Sequence, residues 1–204
     1  MLLGSDNDQK FNFPDVLTQV LMVVHIDTIH DTVTMLSIPR DSWVSVPEVG
    51  GMHKIDQAFL LGTEQHNSFD NGVQLARLTV EKDYGISIDR YAWVGLSGFV
   101  KAIDTLGGVN IDVTHPIVDD TYPEDTGSSG NTPYLFGRTF PGNQIKHITL
   151  GPGSGNQDYG DETTIYDPAA GAEQDAIIPR CQNIQPVINH LFGLGNAQSC
   201  HVNG

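Results

Sequence analysis

The run Thr32-Val33-Thr34-Met35-Leu36-Ser37-Ile38-Pro39-Arg40-Asp41 decides how this chain is read. Its β-branched and aliphatic residues predict a buried strand. Pro39 has no backbone donor and cannot continue a ladder, so the chain leaves the sheet there. Arg40 and Asp41 are thereby presented at the strand's end, where open α/β sheets commonly hold ligands. A guanidinium offers a planar fork of donors suited to phosphate oxygens and stays charged at physiological pH. The same two residues could instead form an ion pair that only pins the loop.

Before this run, Val20 to Asp27 is continuously apolar and predicts a strand buried on both faces, joined to it by a turn at Thr28 to Asp31. Leu2 to Gly4 reads as a shorter strand. After it, Trp43 to Val46 reads as extended and ends at Pro47 and the Gly50-Gly51 turn. Helical spacing follows from Lys54 to Leu61, then in a second helix capped by Asp70 or Asn71, running to Asp83 and ended by Gly85. Ile86, Ile88 and Tyr91 to Val94 have a strand pattern. Ser97 would cap a helix whose Phe99, Val100, Ile103 and Leu106 face inward, closed by Gly107-Gly108. Val109, Ile111 and Val113 alternate as a half-buried strand does. Alternating strands and helices give an α/β or α+β class with a mixed sheet. Residues 151–176 show no apolar periodicity and read as irregular. Ile184, Val187, Ile188 and Leu191 then predict a short amphipathic helix near 182–192.

The length of 204 residues suits one domain with a sizeable core. With 25 acidic and 10 basic residues the net charge is −15, which argues against general nucleic-acid binding. Such a field also repels phosphate unless cations are gathered at one place or a divalent metal is present. No apolar run is long enough to span a membrane. Met1 directly precedes what reads as a central strand, so the expectation is a fragment whose leading segment is missing. Cys181 and Cys200, if bonded, would close a loop of about 20 residues and add roughly 3 kcal/mol in the chain-entropy model. That pairing would favour a setting outside the cytoplasm. No nucleophile elbow, Walker loop or dinucleotide glycine fingerprint is present. His25, within an apolar strand, reads as a core residue. The His190, Cys200 and His201 grouping lacks the usual zinc spacing.

Taken in order, Leu2-Leu3-Gly4-Ser5-Asp6-Asn7, Val20 to Asp27, Ser37 to Asp41, Trp43 to Pro47 and Lys54-Ile55-Asp56-Gln57-Ala58-Phe59 form a recognisable series. It continues through Gly85 to Tyr91, Gly98-Phe99-Val100 and Asp104 to Val113. The series resembles the LytR-CpsA-Psr family of bacterial cell-envelope proteins over roughly residues 2–149. Residues 150–204 read as a divergent, loop-rich segment with one short helix. The resemblance implies a three-layer α-β-α fold with a central mixed sheet. It also implies a phosphotransferase outside the cytoplasm, near the membrane, that moves a glycopolymer from a polyprenyl-pyrophosphate carrier to peptidoglycan with magnesium. Carried over residue by residue, it makes Asp6 a metal ligand, Arg40 the pyrophosphate-binding arginine, Asp41 its orienting neighbour and Lys54 a basic group at a helix start. A solvated surface lysine is the plainer reading of Lys54.

The departures are as informative. Where the family has an Arg-Thr-Asp sequence, this chain has Leu17-Thr18-Gln19, and Gln19 can offer an oxygen only without charge. Asp15 would replace the lost carboxylate only with the loop out of register. The family's C-terminal Arg-x-Arg pair is missing too, Arg180 being the only arginine after Thr149. Besides Arg40, only Lys54 and Arg138 are left to face a pyrophosphate. These losses point to an alternative, a catalytically degenerate member acting as a lipid- or glycan-binding module or scaffold. The break after Thr149 is also compatible with a shifted reading frame or an unrelated graft.

Overall fold

A computed structural model describes residues 1–5, 16–109, 145–153, 157–192 and 200–201. Among these, five strands form a mixed sheet in the order β6-β1-β2-β3-β7: β1 (Leu2–Gly4), β2 (Val20–Asp27), β3 (Thr32–Ile38), β6 (Ala92–Val94) and β7 (Ile145–Thr149). β2 pairs antiparallel with both β1 and β3, whereas β6 and β7 add in parallel at the two edges. The β2–β3 hairpin is the one expected. Asp27 closes its turn by accepting the Ile29 and His30 N–H groups at 2.9 and 3.1 Å.

The two faces of this sheet differ. Leu3, Leu21, Val23, Leu36 and Ile38 are buried on one side, packed in a core with residues of α1 (Gln57–His66), α2 (Phe69–Tyr84) and α4 (Cys181–Phe192). On the other side Val20 and Ile26 are exposed. β2 is therefore buried on one face only, which corrects the two-faced reading of its apolar run. His25 is half-buried and lies against Phe192, the rings tilted with centroids 5.0 Å apart, so it is not a core residue.

α1 and α2 cross closely because two glycines meet. A Cβ on Gly62 would lie 2.7 Å from the Asn71 carbonyl oxygen, and one on Gly72 would lie 2.8 Å from that of Phe59. The N-caps are Ser68 for α2 and Gly95 for α3 (Leu96–Thr105), in place of Asp70 or Asn71 and of Ser97. Gly85 ends α2 in the left-handed region, as expected. Of the stretch after it that reads as a strand, only Ala92–Val94 pairs. α3 contradicts the inward reading most clearly. It buries none of its residues, and Phe99 and Leu106 are 54% and 75% exposed. Ile111 and Val113 lie outside the described residues.

Two small sheets complete the fold. β4 (Trp43–Ser45) pairs with β5 (Met52–Lys54) around the Gly50-Gly51 turn. β8 (Gly160–Asp167) and β9 (Ala172–Pro179) form a full antiparallel hairpin, where irregular chain was expected. The tail is part of the structure. Leu150, Tyr159, Ile184, Ile188 and Cys200 belong to the core, and Cys181 is disulfide-bonded to Cys200. That packing ties the tail to the rest of the fold, and the bond removes Cys200 as a metal ligand.

Candidate functional site

The turn after β3 is held by three successive carbonyls. Those of Arg40, Asp41 and Ser42 accept the N–H groups of Asp56, Ile177 and Ile55 at 3.3, 2.8 and 2.9 Å. The Ser42 N–H closes back on Pro39 at 3.1 Å. Two separate segments, the β5–α1 junction and β9, thus fix where Arg40 and Asp41 begin. One of them, β9, lies in the tail that sequence reading left irregular.

From this backbone the side chains form a line. The Arg40 guanidinium donates to the Gln19 side-chain carbonyl, and its Nε lies 3.5 Å from Asp41. Asp41 accepts the Lys54 ammonium at 2.7 Å. The Lys54 side chain is 11% exposed against 51% for Arg40, so the lysine charge is spent on Asp41 while the arginine faces solvent. This corrects Lys54 twice. It ends a strand rather than starting a helix, and it is a buried partner rather than a solvated surface residue. The Arg40–Asp41 pair does not consume the guanidinium, which is half open. Gln19 is fixed next door because Thr18 donates through both N–H and Oγ1 to the Asp56 carbonyl at 3.1 and 3.2 Å.

Behind this line lie acidic groups that sequence reading missed. Asp56 is buried, and its Oδ1 has no hydrogen-bond partner. Burial first, then the Asp41 charge, push its carboxyl up to about 6, with Lys54 and Arg40 pulling the other way. Asp167 is fully buried and accepts from the Gln57 side-chain amide and the Ala169 N–H. For Asp56, the available signal was the polar pair Asp56-Gln57 directly before the apolar run Ala58 to Leu61.

An apolar groove of about 530 Å³ runs beside the line, between β1, β2, β6 and the start of α3. Leu2, Val20, Met22, Val94, Leu96 and Phe99 line it, and it exposes no polar surface. Gln19 lies on its wall and touches Arg40, so groove and cation adjoin. The arrangement suits an amphiphile with a long apolar body and an anionic head. Arg180 takes no part, being engaged by Asp161 at 2.8 Å and by Asp158. Asp6 and Arg138 lie outside the described residues. Among those described, no group of three His, Cys, Asp or Glu side chains could hold a metal ion.

A mixed sheet with one face under helices, and an apolar groove whose wall residue Gln19 touches the arginine at the end of β3, define an α+β domain. The chain belongs to the LytR_cpsA_psr family, whose model matches residues 1–166, past the limit at Thr149 that the sequence motifs suggested. It is 34% identical over 131 residues to the Corynebacterium glutamicum protein named "Probable cell wall biosynthesis protein LcpB", covering 58% of this chain and 29% of that protein. It is also 34% identical to the Oceanobacillus iheyensis polyisoprenyl-teichoic acid–peptidoglycan teichoic acid transferase TagU, over 62% of this chain and 38% of that one. The chain thus spans about a third of the length of the curated relatives it matches. Its fold is shared by YwtF (TagT), solved with bound octaprenyl pyrophosphate lipid, at a TM-score of 0.65 and 18% identity. That match covers 94% of this chain and 87% of TagT. Bacillus subtilis TagV gives a TM-score of 0.65 at 16% identity, over 94% and 95% of the two chains. No helix among the described residues is long and apolar enough to cross a membrane.

Proposed function

We propose that this domain binds a polyprenyl-pyrophosphate-linked glycopolymer outside the cytoplasmic membrane and transfers the glycopolymer, through its phosphate, to peptidoglycan. The observation that carries the reading is the apolar groove whose wall residue, Gln19, touches the half-exposed Arg40. In it the isoprenoid lies along Val20, Met22, Leu96 and Phe99, and the diphosphate meets Arg40. Burying isoprenoid surface supplies affinity in proportion to area. Charge that spreads over the equatorial phosphate oxygens during transfer is stabilised by the guanidinium, whose direction Asp41 and Gln19 set. Lys54 acts by fixing Asp41 rather than by touching phosphate. The relatives named for teichoic acid transfer, and the TagT structure holding a polyprenyl pyrophosphate, support the reading. A magnesium ion would be held through Asp6 and would supply positive charge to the diphosphate.

The test is a calorimetric titration with a polyprenyl pyrophosphate, with magnesium and with EDTA, on the parent and on Arg40→Ala. Loss of a charged hydrogen bond to phosphate should weaken binding by roughly 2–3 kcal/mol. Equal affinities for parent and variant would remove Arg40 from the site, and equal affinities with EDTA would remove the metal.

A second reading, a lipid- or glycan-binding module without turnover, is favoured by one feature. Arg180 is held by two aspartates and Lys54 by Asp41, which leaves Arg40 as the half-exposed cation of the described site. Tight binding of a lipid-linked glycopolymer with no product released in the presence of peptidoglycan would select that reading.

A further inference from the structure

We propose that the outer face of the β8–β9 hairpin, together with Asp41, is a binding site for an uncharged, hydroxyl-rich glycan chain. Its purpose rests on the transfer reading above: this face holds the acceptor, while Arg40 meets the diphosphate of the donor. The strand register makes the face. Glu162 lies opposite Ile177, Thr164 opposite Asp175 and Tyr166 opposite Glu173, and directly opposed residues share one side of an antiparallel pair. The other side turns inward, as the buried Ala176 and Asp167 show. Of the six outer residues, all but the half-buried Ile177 are exposed. Glu162, Thr164, Asp175 and Ile177 line a concavity of about 460 Å³ that Asp41 lines as well. Asp41 therefore borders both the Arg40 line and the hairpin. Its carbonyl accepts the Ile177 N–H at 2.8 Å and Ser42 bridges to Ile177, so the backbone fixes the face against the turn that carries Arg40.

Three features define the ligand. The Glu162 and Asp175 carboxylates are unpaired among the described residues, the nearby Arg180 being taken by Asp158 and Asp161. A carboxylate accepts hydrogen bonds from neighbouring sugar hydroxyls, and the Thr164 hydroxyl both donates and accepts. Tyr166, 59% exposed on the same side, offers a ring against which the apolar side of a sugar packs. Finally, the face carries Glu162, Glu173 and Asp175 and no lysine or arginine, so it repels a polyanion. That charge separates an uncharged chain from the anionic donor and keeps each on its own side of Asp41. From Glu162 to Tyr166 the strand runs about 13 Å, which suits a chain of sugars better than a single one. A face serving solubility alone would carry the charge without the concavity or the exposed ring.

The experiment titrates chitotetraose, an uncharged chain of N-acetylhexosamines, into the isotopically labelled protein and follows the amide resonances. Saturable shifts should concentrate at residues 162–166, 173–177 and Asp41, with a Kd on the order of 1 mM. The double variant Glu162→Ala, Asp175→Ala should bind roughly tenfold more weakly, and Tyr166→Ala about fivefold more weakly. Because these side chains are exposed, both variants should keep the thermal transition of the parent. Tetragalacturonate, a chain of sugars bearing carboxylates, should not bind. Shifts that map elsewhere, or variants that bind like the parent, overturn the inference. So does spermine shifting these amides while chitotetraose does not, since the face is then only an acidic patch. A parallel titration of the parent with geranylgeranyl pyrophosphate separates the two levels. If the lipid binds and chitotetraose does not, the glycan face fails alone. If chitotetraose binds at the hairpin and the lipid does not bind at all, the transfer reading fails and the glycan site stands.

Discussion

Asp83 should make the stability of this protein fall as pH rises between about 4 and 7, and Asp83→Asn should remove its share of that dependence, leaving the smaller one that Asp56 contributes. The residue lies in the last turn of α2, where the helix dipole already disfavours a carboxylate, and it is fully buried. Neither oxygen finds a hydrogen bond of normal geometry. Burial pushes the carboxyl from an ordinary 3.8 up to about 7, opposed only by Lys82 and the Ser45 amide. Because the folded value lies above the unfolded one, the native state binds the proton more tightly. Its stabilising effect is complete below pH 3.8 and is lost as the pH rises toward 7. At about 1.4 kcal/mol for each tenfold change in proton affinity, the loss amounts to roughly 4 kcal/mol. That is a large part of the 5–15 kcal/mol typical of a whole domain. The assay is urea unfolding followed by tryptophan fluorescence, from Trp43 and Trp93, at several pH values from 4.5 to 8. Asn carries no titrating charge, so the stability of Asp83→Asn relative to the parent should climb from pH 4.5 to about 7 and level off above it. Any constant cost of burying the amide cancels in the slope. Parallel curves for the two proteins would refute the reasoning.

The other predictions concern packing and the groove. Gly72→Ala should destabilise the protein by about 2 kcal/mol or more, since its Cβ would meet the Phe59 backbone, which cannot step aside as a side-chain end could; thermal unfolding measures it. Removing the Cys181–Cys200 bond with serine at both positions should lower stability by roughly 3 kcal/mol, and a reducing agent should do the same to the parent but not to the variant. Phe99→Glu should leave the unfolding transition within about 0.5 kcal/mol of the parent, because the side chain is half exposed, yet weaken geranylgeranyl pyrophosphate binding at least tenfold by placing charge in the groove.

The parts of the fold that could be read from sequence were those with local causes. The β2–β3 hairpin, the strand-ending Pro39 and the Gly85 helix stop each follow from residues within a few positions. The β8–β9 hairpin could not be found that way. Gly160-Asp161-Glu162-Thr163-Thr164-Ile165-Tyr166-Asp167 has no apolar alternation, because most of its residues face solvent. Pairing with β9 makes it a strand, and the Ser42–Ile177 bridge ties it to the turn. α3 shows the converse error. Its apolar spacing was read correctly as an amphipathic helix, but periodicity does not say whether a core or a groove receives the apolar side. At the site, Arg40 was legible because proline and strand end announce it. The burial of Lys54 against Asp41, the Gln19 contact and the raised Asp56 carboxyl were not, since each depends on segments brought together from a distance.

The clasp on the turn after β3 has a consequence for anyone wishing to move this site. Its three carbonyl anchors come from the β5–α1 junction and from a hairpin more than a hundred residues downstream. A Pro39–Ser42 cassette spliced into a foreign scaffold would transplant the letters and leave their grip behind. Conversely, a slip in β9 register would swing the arginine without altering a single residue near it, so the tail is a tuning screw for a cation it never touches.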